Sequence, residues 1–193
     1  MITAEEIPRN LRILVADDDP QILNLFRQVL LSKKSSTSLS FDLVTCHQGE
    51  DAVDAVKASL EESRPFSAAF IDVRMPPGRG GIWAAEQIRR LDKNVEILIM
   101  TGYSDEHPRD ISLRVLPVHK LLYVQKPIHV QEIYQFASSL SMKWHTECEF
   151  QKLNKNFEQC VEERIKEFIV ISKELQTKII ELEKTQSALN QTE

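Results

Sequence analysis

Cysteine is scarce in this chain of 193 residues, with only Cys46, Cys148 and Cys160 present. An odd number of cysteines without metal-like spacing argues against a disulfide framework and against a zinc site. His145 and Cys148 lie three residues apart, but no second pair accompanies them, so an ordinary helix surface is the better interpretation. We therefore expect reduced thiols in a cytoplasmic protein.

Long apolar runs are also lacking. No stretch reaches the length that a bilayer-spanning helix needs, and the N-terminus has no signal-peptide pattern, so no membrane association is expected. The formal net charge is -5, and neither a basic face nor a recognition-helix pattern is present, which argues against direct nucleic-acid binding. Hydrophobic residues still make up 42% of the chain, enough for one domain of ordinary size plus an extension.

The chain up to about residue 140 alternates between short apolar runs and helical patterns. Apolar runs predict five strands, and apolar residues at helical spacing follow each of them. Strand–helix alternation of this kind predicts an α/β fold with one doubly wound parallel sheet and helices on both faces. The predicted strands cover residues 11–16, 40–46, 66–71, 95–100 and 121–124, and the predicted helix 4 covers residues 105–116.

Polar residues stand at the ends of four of these strands. Asp17 and Asp18 follow strand 1, Asp72 follows strand 3, Thr101 ends strand 4 and Lys126 follows strand 5. Because crossovers between parallel strands are right-handed, all these strand ends fall on one edge of the sheet. Each residue alone has an ordinary explanation, as a turn former, a helix cap or a surface charge. Their joint placement favours a reaction site, since ligands bind at this edge in open α/β sheets.

Three carboxylates at one edge require compensation. Carboxylates about 5 Å apart repel each other by about 3 kcal/mol per pair at an effective dielectric constant near 20. A hard divalent cation with oxygen ligands, Mg²⁺ or alternatively Mn²⁺, relieves this repulsion. A carboxylate such as Asp72 beside the cation can act as a nucleophile toward phosphorus, and Lys126 and Thr101 would neutralise charge on the phosphoryl oxygens.

With these residues in place, the sequence resembles a two-component response-regulator receiver domain. The matching segments are residues 14–19 (LVADDD), 71–76 (IDVRMP), 100–102 (MTG) and 126–127 (KP), within a region from about residue 10 to 140. The resemblance implies a flavodoxin-like (βα)5 fold. It also implies that Asp72 is the phosphoacceptor and that the donor is a phosphohistidine on a histidine kinase or phosphotransfer protein.

The resemblance further implies roles for the neighbouring residues. Mg²⁺ would be held by Asp18, Asp72 and the backbone carbonyl of Arg74, with Asp17 acting mainly through water. Lys126 would contact the phosphoryl group, and the peptide bond before Pro127 would be cis.

Other positions are implied to act after phosphorylation. Thr101 would move toward the phosphoryl group, and Tyr123 would be the aromatic switch residue, although an ordinary half-buried strand tyrosine is an equal alternative. Arg74 and Tyr103 occupy variable positions that tune phosphoryl lifetime. The loop at residues 77–81 (PGRGG) departs from the family, which commonly carries an aspartate just before the glycine that precedes helix 3.

Proline is absent after Pro127 and glycine after Gly102, and a helical pattern runs from near Val130 to the end. Its apolar seam ends in a strict heptad, with leucine at one core position and isoleucine, serine or glutamine at the other. This pattern favours a parallel coiled-coil homodimer, and successive steps of four form a stutter that locally unwinds the supercoil. The seam consists of Phe150, Leu153, Phe157, Val161, Ile165, Phe168, Leu175, Ile179, Leu182 and Leu189.

The expected organisation is therefore an N-terminal extension (1–10), a receiver (11–140) and a coiled-coil linker helix (141–193). The linker resembles helices that precede histidine kinases and diguanylate cyclases, so we expect an output domain beyond residue 193 and a chain that is a fragment. Whether the protein is an enzyme depends on that domain. The alternative is a haloacid-dehalogenase-type phosphatase with Asp17 as the nucleophile. That family would need a further acidic pair after the lysine, where this sequence has only helix.

Overall fold

The computed structural model describes residues 11–32, 39–102 and 108–189. Five parallel strands form one sheet with the order β2-β1-β3-β4-β5. This is the predicted (βα)5 architecture. The strands are β1 (Leu11–Ala16), β2 (Phe41–Cys46), β3 (Ala68–Asp72), β4 (Glu96–Thr101) and β5 (Leu121–Gln125). The helices are α1 (Pro20–Leu31), α2 (Gly49–Glu61), α3 (Gly81–Leu91), α4 (Pro108–Arg114) and α5 (Val130–Leu189).

The sheet has an apolar core on each face because successive strand residues point to opposite sides. On one face Leu14, Ile71 and Ile99 pack with residues of α2 and α3. On the other face Phe70 packs with α1, where the rings of Phe26 and Phe70 meet edge to face at 5.1 Å, and with α5. The continuous apolar runs of β3 and β4 are therefore explained by burial on both sides.

Element boundaries differ from the sequence prediction mainly around α4. The structure has a helix over Pro108–Arg114, shorter than the predicted 105–116, of which 105–107 lie outside the described residues. Leu116 is 55% exposed and precedes Pro117, whose ring disfavours helical backbone in the preceding residue. A 3-10 turn at Val118–Lys120, which periodicity did not reveal, then leads into β5.

The chain divides into two compact units, Met1–Cys148 and Glu149–Glu193. The first contains the sheet, α1 to α4 and the beginning of α5. The second contains the remainder of α5, and the apolar side chains that the structure describes there are exposed in the single chain, including Phe157 (68%) and Leu175 (55%). Within the described residues, no helix combines the length and hydrophobicity needed to cross a membrane.

Candidate phosphoacceptor site

Three of the predicted site residues meet at the carboxyl edge of the sheet. The Lys126 Nζ atom lies 2.7 Å from Asp17 Oδ2 and 2.8 Å from Asp72 Oδ1, so the ammonium bridges the ends of β1 and β3. Asp17 is fully buried and Asp72 is nearly so. The ion pairs therefore join charges that have lost most of their water, where hydrogen bonds to ionised groups are strong.

Asp18 completes an acidic cluster at the same place. Carboxylate oxygens of Asp17, Asp18 and Asp72 all lie within 4.8 Å of one another. Asp18 is exposed, whereas the other two are buried, so the cluster has an open side toward solvent. Three oxygen ligands that converge in this way fit a hard divalent cation, which would complete its coordination with water or a phosphoryl group.

The surroundings of Asp72 and Lys126 raise the pKa of both groups. Burial raises the pKa of Asp72, and the carboxylates of Asp17 and Asp18 add to the increase, although Lys126 opposes it. Burial alone would lower the pKa of Lys126, but its hydrogen bonds to Asp17 and Asp72 outweigh this effect and the pKa is raised. The lysine is therefore firmly protonated, and the two buried carboxylates share its charge.

The segment after β1 explains why three consecutive aspartates have different surroundings. Asp19 is the N-cap of α1, and its side chain accepts a hydrogen bond of 2.8 Å from the Gln21 backbone N–H, with Pro20 at the first helical position. Asp17 Oδ1 accepts a hydrogen bond of 3.0 Å from the Asp19 backbone N–H. Capping thus explains Asp19 and leaves Asp17 and Asp18 for the cluster.

Lys126 is anchored by its backbone. Its N–H donates to the Thr101 carbonyl oxygen at 2.9 Å, which continues the β4–β5 pairing beyond the strands. The Lys126–Pro127 peptide bond is cis, as the resemblance to receiver domains implied.

The predicted switch residues lie on neighbouring strands. Thr101 is half-buried at the end of β4, and its hydroxyl donates to the Gly102 carbonyl oxygen at 3.0 Å. Tyr123, on β5, is half-buried, and its hydroxyl lies 3.2 Å from the Ser112 hydroxyl of α4. Arg74 is exposed on the β3–α3 loop. Tyr103, the other predicted lifetime residue, lies outside the described residues.

Gly81 is a site residue whose role the sequence pattern did not reveal. A Cβ atom at this position would lie 1.7 Å from the Asp72 carbonyl oxygen and 2.8 Å from Ile71 Cγ2. The first residue of α3 therefore packs directly on the backbone of the phosphoacceptor candidate. A glycine pair such as Gly80-Gly81 at a strand–helix junction is the sequence signal that indicates this close backbone approach.

A buried ionic network at the opposite edge of the sheet was also not predicted. Lys120 Nζ lies 2.9 Å from Glu96 Oε1 and also contacts Glu147, while Lys143 Nζ lies 2.9 Å from Glu96 Oε2. Glu96 stands at the start of β4 with its side chain 1% exposed. The one available signal was a charged residue at the edge of an otherwise apolar strand sequence.

Comparison with known proteins identifies similar domains. A sequence model described as the response regulator receiver domain matches residues 13–138. The two-component response regulator ORR21 of Oryza sativa subsp. indica is 26% identical over 128 residues, which cover 66% of this chain and 16% of that protein. The oxygen regulatory protein NreC of Staphylococcus epidermidis is 27% identical over 143 residues, which cover 70% of this chain and 60% of that protein. The chain thus spans only part of these relatives.

Solved structures agree on the fold. A structure described as adenylate cyclase from Rhodopirellula baltica has a TM-score of 0.59 and 26% identity, covering 76% of this chain and 98% of that one. A CheY-like response regulator receiver domain protein from Methanospirillum hungatei has a TM-score of 0.56 and 20% identity, covering 72% and 98%.

The phosphatase alternative with Asp17 as the nucleophile is not supported. The family match is to receiver domains, and within the described residues Lys126 is followed by α5 and by no further strand that could carry an acidic pair.

Proposed function

The chain belongs to the response regulator receiver domain family of two-component systems, and from this premise we propose that Asp72 is its phosphoacceptor. The observation that carries the proposal is the bridging of Asp72 and Asp17 by Lys126, at 2.8 and 2.7 Å, beside the exposed Asp18. Asp72 has a nucleophilic oxygen at the open edge of the sheet, and an ammonium group is already in place for the negative charge of an incoming phosphoryl group.

We propose that Asp17, Asp18, Asp72 and the backbone carbonyl of Arg74 hold Mg²⁺, with Mn²⁺ as a substitute. The three-carboxylate cluster supports this, because its oxygens lie within 4.8 Å of one another and repel without a cation. A bound Mg²⁺ would neutralise this charge and that of the phosphoryl oxygens. Removing the cation with a chelator is expected to abolish phosphoryl uptake.

In the proposed reaction an Asp72 carboxylate oxygen attacks the phosphorus of a phosphohistidine on a histidine kinase or phosphotransfer protein. The new O–P bond forms as the P–N bond breaks, and the leaving imidazole takes up a proton. Lys126 stabilises the transferred group electrostatically, and the Thr101 hydroxyl donates a hydrogen bond to it. We also propose a cytoplasmic location, which the small and odd number of cysteines favours.

Labelling with acetyl phosphate and Mg²⁺ tests the assignment. Wild type is expected to take up phosphate as an acid-stable but base-labile adduct, and Asp72→Asn to take up none. Asp54→Asn is the matched control, because Asp54 is exposed on α2 and remote from the cluster. Uptake by Asp72→Asn equal to that of wild type would refute the assignment.

We also propose that Arg74 and Tyr103 lengthen the life of the phosphoryl group by shielding it from water. The exposed Arg74 stands two residues after Asp72, where its side chain can cover the open side. Arg74→Ala and Tyr103→Ala are expected to lose phosphate several-fold faster in a chase after removal of the donor. Unchanged dephosphorylation in both variants would rule this role out.

For Tyr123 we propose a switch role coupled to Thr101. The pKa of Tyr123 is raised by burial, although Ser112 opposes the increase through its hydrogen bond. Movement of Thr101 toward phosphate would open space beneath the ring and break the contact with Ser112. Tyr123→Phe removes the hydroxyl contact with Ser112 but keeps the ring. Phosphorylation should therefore still shift the α4 amide resonances in Tyr123→Phe, whereas Thr101→Ala should abolish this shift.

The second unit of the chain is proposed to form a parallel coiled-coil homodimer. Its seam residues from Phe150 to Leu182 are exposed in the single chain, including Ile165 (54%) and Leu175 (55%), which favours their burial against a second copy. Sedimentation equilibrium should show a dimer for wild type and for the surface variant Gln176→Asn, and a much weaker dimer for Leu175→Asn. A monomeric wild type would overturn the proposal.

The output of the whole protein is proposed to be an enzyme that this helix controls. A histidine kinase or diguanylate cyclase fits the linker-like sequence of α5, and the similarity to a structure described as an adenylate cyclase adds a third candidate. Kinase and cyclase assays on the full gene product, with and without acetyl phosphate, distinguish these outputs.

A further inference from the structure

Two side chains at the start of α2 grip the loop that follows the phosphoacceptor strand. Gln48 uses both ends of its amide, because Nε2 donates to the Pro76 carbonyl oxygen at 3.0 Å and Oε1 accepts from the Gly78 N–H at 3.2 Å. Glu50 Oε1 accepts from the Arg79 N–H at 2.9 Å. We call this pair of side chains, Gln48 and Glu50, the α2 clasp.

The Gln48 side chain is not used to cap its own helix. Gln48 is the N-cap residue of α2, yet its side chain makes no capping hydrogen bond and is directed to the loop instead. The hydrogen bond from the Arg79 N–H lowers the pKa of Glu50, so its carboxylate is ionised at neutral pH. The Arg79 guanidinium lies over the Trp83 ring at 4.8 Å, and its positive charge also lowers the pKa of Glu50, to a smaller extent than the backbone hydrogen bond does.

Glycines make the contact between α2 and the loop close. A Cβ atom on Gly78 would lie 2.6 Å from Gln48 Oε1 and 2.7 Å from Glu50 Oε2. A Cβ atom on Gly49 would lie 2.7 Å from the Arg79 carbonyl oxygen. A side chain at position 49 would push the loop backbone away from α2, whereas one at position 78 would displace the ends of the Gln48 and Glu50 side chains.

The other end of the loop is fixed to the sheet. The Val73 N–H donates to the Met100 carbonyl oxygen at 3.0 Å, and the Val73 carbonyl accepts from the Gly81 N–H at 2.9 Å. Met75 is 1% exposed and anchors the middle of the loop in the core. Arg74 therefore stands between a residue held by β4 and a residue, Pro76, held by Gln48.

We propose that Gln48 and Glu50 are positioning residues for phosphoryl transfer. They hold the β3–α3 loop so that the Arg74 backbone carbonyl faces the three-carboxylate cluster. The inference rests on the proposed function of Asp72. It assigns cation affinity in part to residues on α2 that do not touch the cation, the phosphoryl group or Asp72. Without the α2 clasp the loop would be free to move. The Arg74 carbonyl would then no longer be held in place before the cation binds, and cation affinity would fall.

Mg²⁺ titration by calorimetry, together with acetyl phosphate labelling, tests the α2 clasp. Gln48→Ala and Glu50→Ala are each expected to weaken Mg²⁺ binding by about three- to tenfold and to slow labelling at subsaturating Mg²⁺, since each loses one or two hydrogen bonds. Excess Mg²⁺ should restore the labelling rate. Gln28→Ala and Glu61→Ala, both at exposed helix positions, are the matched controls and should bind Mg²⁺ as wild type does.

Conservative variants separate positioning from general stability. Glu50→Gln keeps an acceptor for the Arg79 N–H and should bind Mg²⁺ nearly as wild type does. Gln48→Glu still accepts from Gly78 but cannot donate to Pro76, so its affinity should fall between those of wild type and Gln48→Ala. Thermal melts in EDTA identify a temperature at which every variant is folded, and the titrations are done there.

Three outcomes bear on different claims. If wild type labels and Gln48→Ala and Glu50→Ala bind Mg²⁺ with unchanged affinity, the α2 clasp has no positioning role while the phosphoacceptor assignment stands. The positioning role is equally excluded if Glu50→Gln loses affinity as fully as Glu50→Ala, because charge rather than the hydrogen bond would then be responsible. If wild type itself takes no label, the proposed function fails and this inference fails with it.

Discussion

Replacing Asp72 by asparagine is expected to stabilise the receiver whenever no divalent cation is bound. The Asp72 side chain is 9% exposed, and its pKa is raised, chiefly by burial, above that of an ordinary aspartate. A carboxyl group with a higher pKa in the folded than in the unfolded protein destabilises the fold once it is ionised, and the loss is complete above the folded-state pKa. At neutral pH the neutral amide removes this loss.

The charges around Asp72 act on its stability contribution in opposite directions. Carboxylate oxygens 4.8 Å apart repel by about 3.5 kcal/mol at an effective dielectric constant near 20. Asp17 and Asp18 together therefore oppose the Asp72 charge by about 7 kcal/mol. Lys126 Nζ, 2.8 Å from Asp72 Oδ1, supplies an attraction of about 6 kcal/mol at the same dielectric constant, and it shares its ammonium with Asp17. Because these contributions nearly cancel, burial decides the sign, and we expect a gain of about 1–2 kcal/mol in the free energy of unfolding. The melting temperature would rise by about 3–8 °C.

Urea unfolding followed by circular dichroism measures this difference. Wild type, Asp72→Asn and the exposed control Asp54→Asn are compared at neutral pH, first in EDTA and then in millimolar Mg²⁺. The expected order in EDTA places Asp72→Asn above the other two. Mg²⁺ should then stabilise wild type and the control much more than Asp72→Asn, because only they keep all three carboxylates. An Asp72→Asn protein that is no more stable than wild type in EDTA would refute the electrostatic reasoning.

Three further predictions concern the supporting structure. Gly81→Ala should cost about 3 kcal/mol or more and slow labelling of Asp72, because the new Cβ would lie 1.7 Å from that residue's carbonyl oxygen; a normal urea midpoint would contradict this. Lys120→Met should cost about 2–3 kcal/mol, because the Glu96 carboxylate is 1% exposed and would then be paired only with the partly exposed Lys143. Adding Glu96→Met should recover much of this loss in the same urea assay. The pKa of Glu147 is lowered, because its hydrogen bond to Lys120 outweighs the opposing effect of burial. Its contribution to the free energy of unfolding should therefore be complete above its ordinary pKa of 4.5 and fade as the pH falls below that value. The pKa of Lys120 is raised, because its hydrogen bonds to Glu147 and Glu96 outweigh the effect of burial. Its contribution to the free energy of unfolding should therefore persist up to its ordinary pKa of 10.5 and fade above it. Both effects would be excluded if wild type and Lys120→Met showed the same dependence of stability on pH at acidic and at alkaline pH.

Strand sequence was sufficient to predict that Asp17, Asp72 and Lys126 lie together. Parallel strands joined by right-handed crossovers must end at one edge, so polar residues at four strand ends could be placed together from the sequence pattern alone. The contact of Lys126 with both Asp17 and Asp72 bears this out. The exact end of α4 was less predictable, because helical spacing of apolar residues does not show which of them are covered, and Leu113 is 70% exposed.

What the sequence by itself determined is the set of elements, their parallel arrangement and the identity of the acidic residues, because periodicity and strand ends are local properties of the chain. Tertiary structure alone decided the contacts that support the site. Gln48 and Glu50 lie about thirty residues before their partners in the β3–α3 loop, and Lys120 lies 24 residues after Glu96. No local pattern encodes such pairs, since a polar side chain on a helix or turn has the same sequence signature whether it meets water or a distant backbone. Their roles follow only once the sheet has brought those backbones within hydrogen-bond distance.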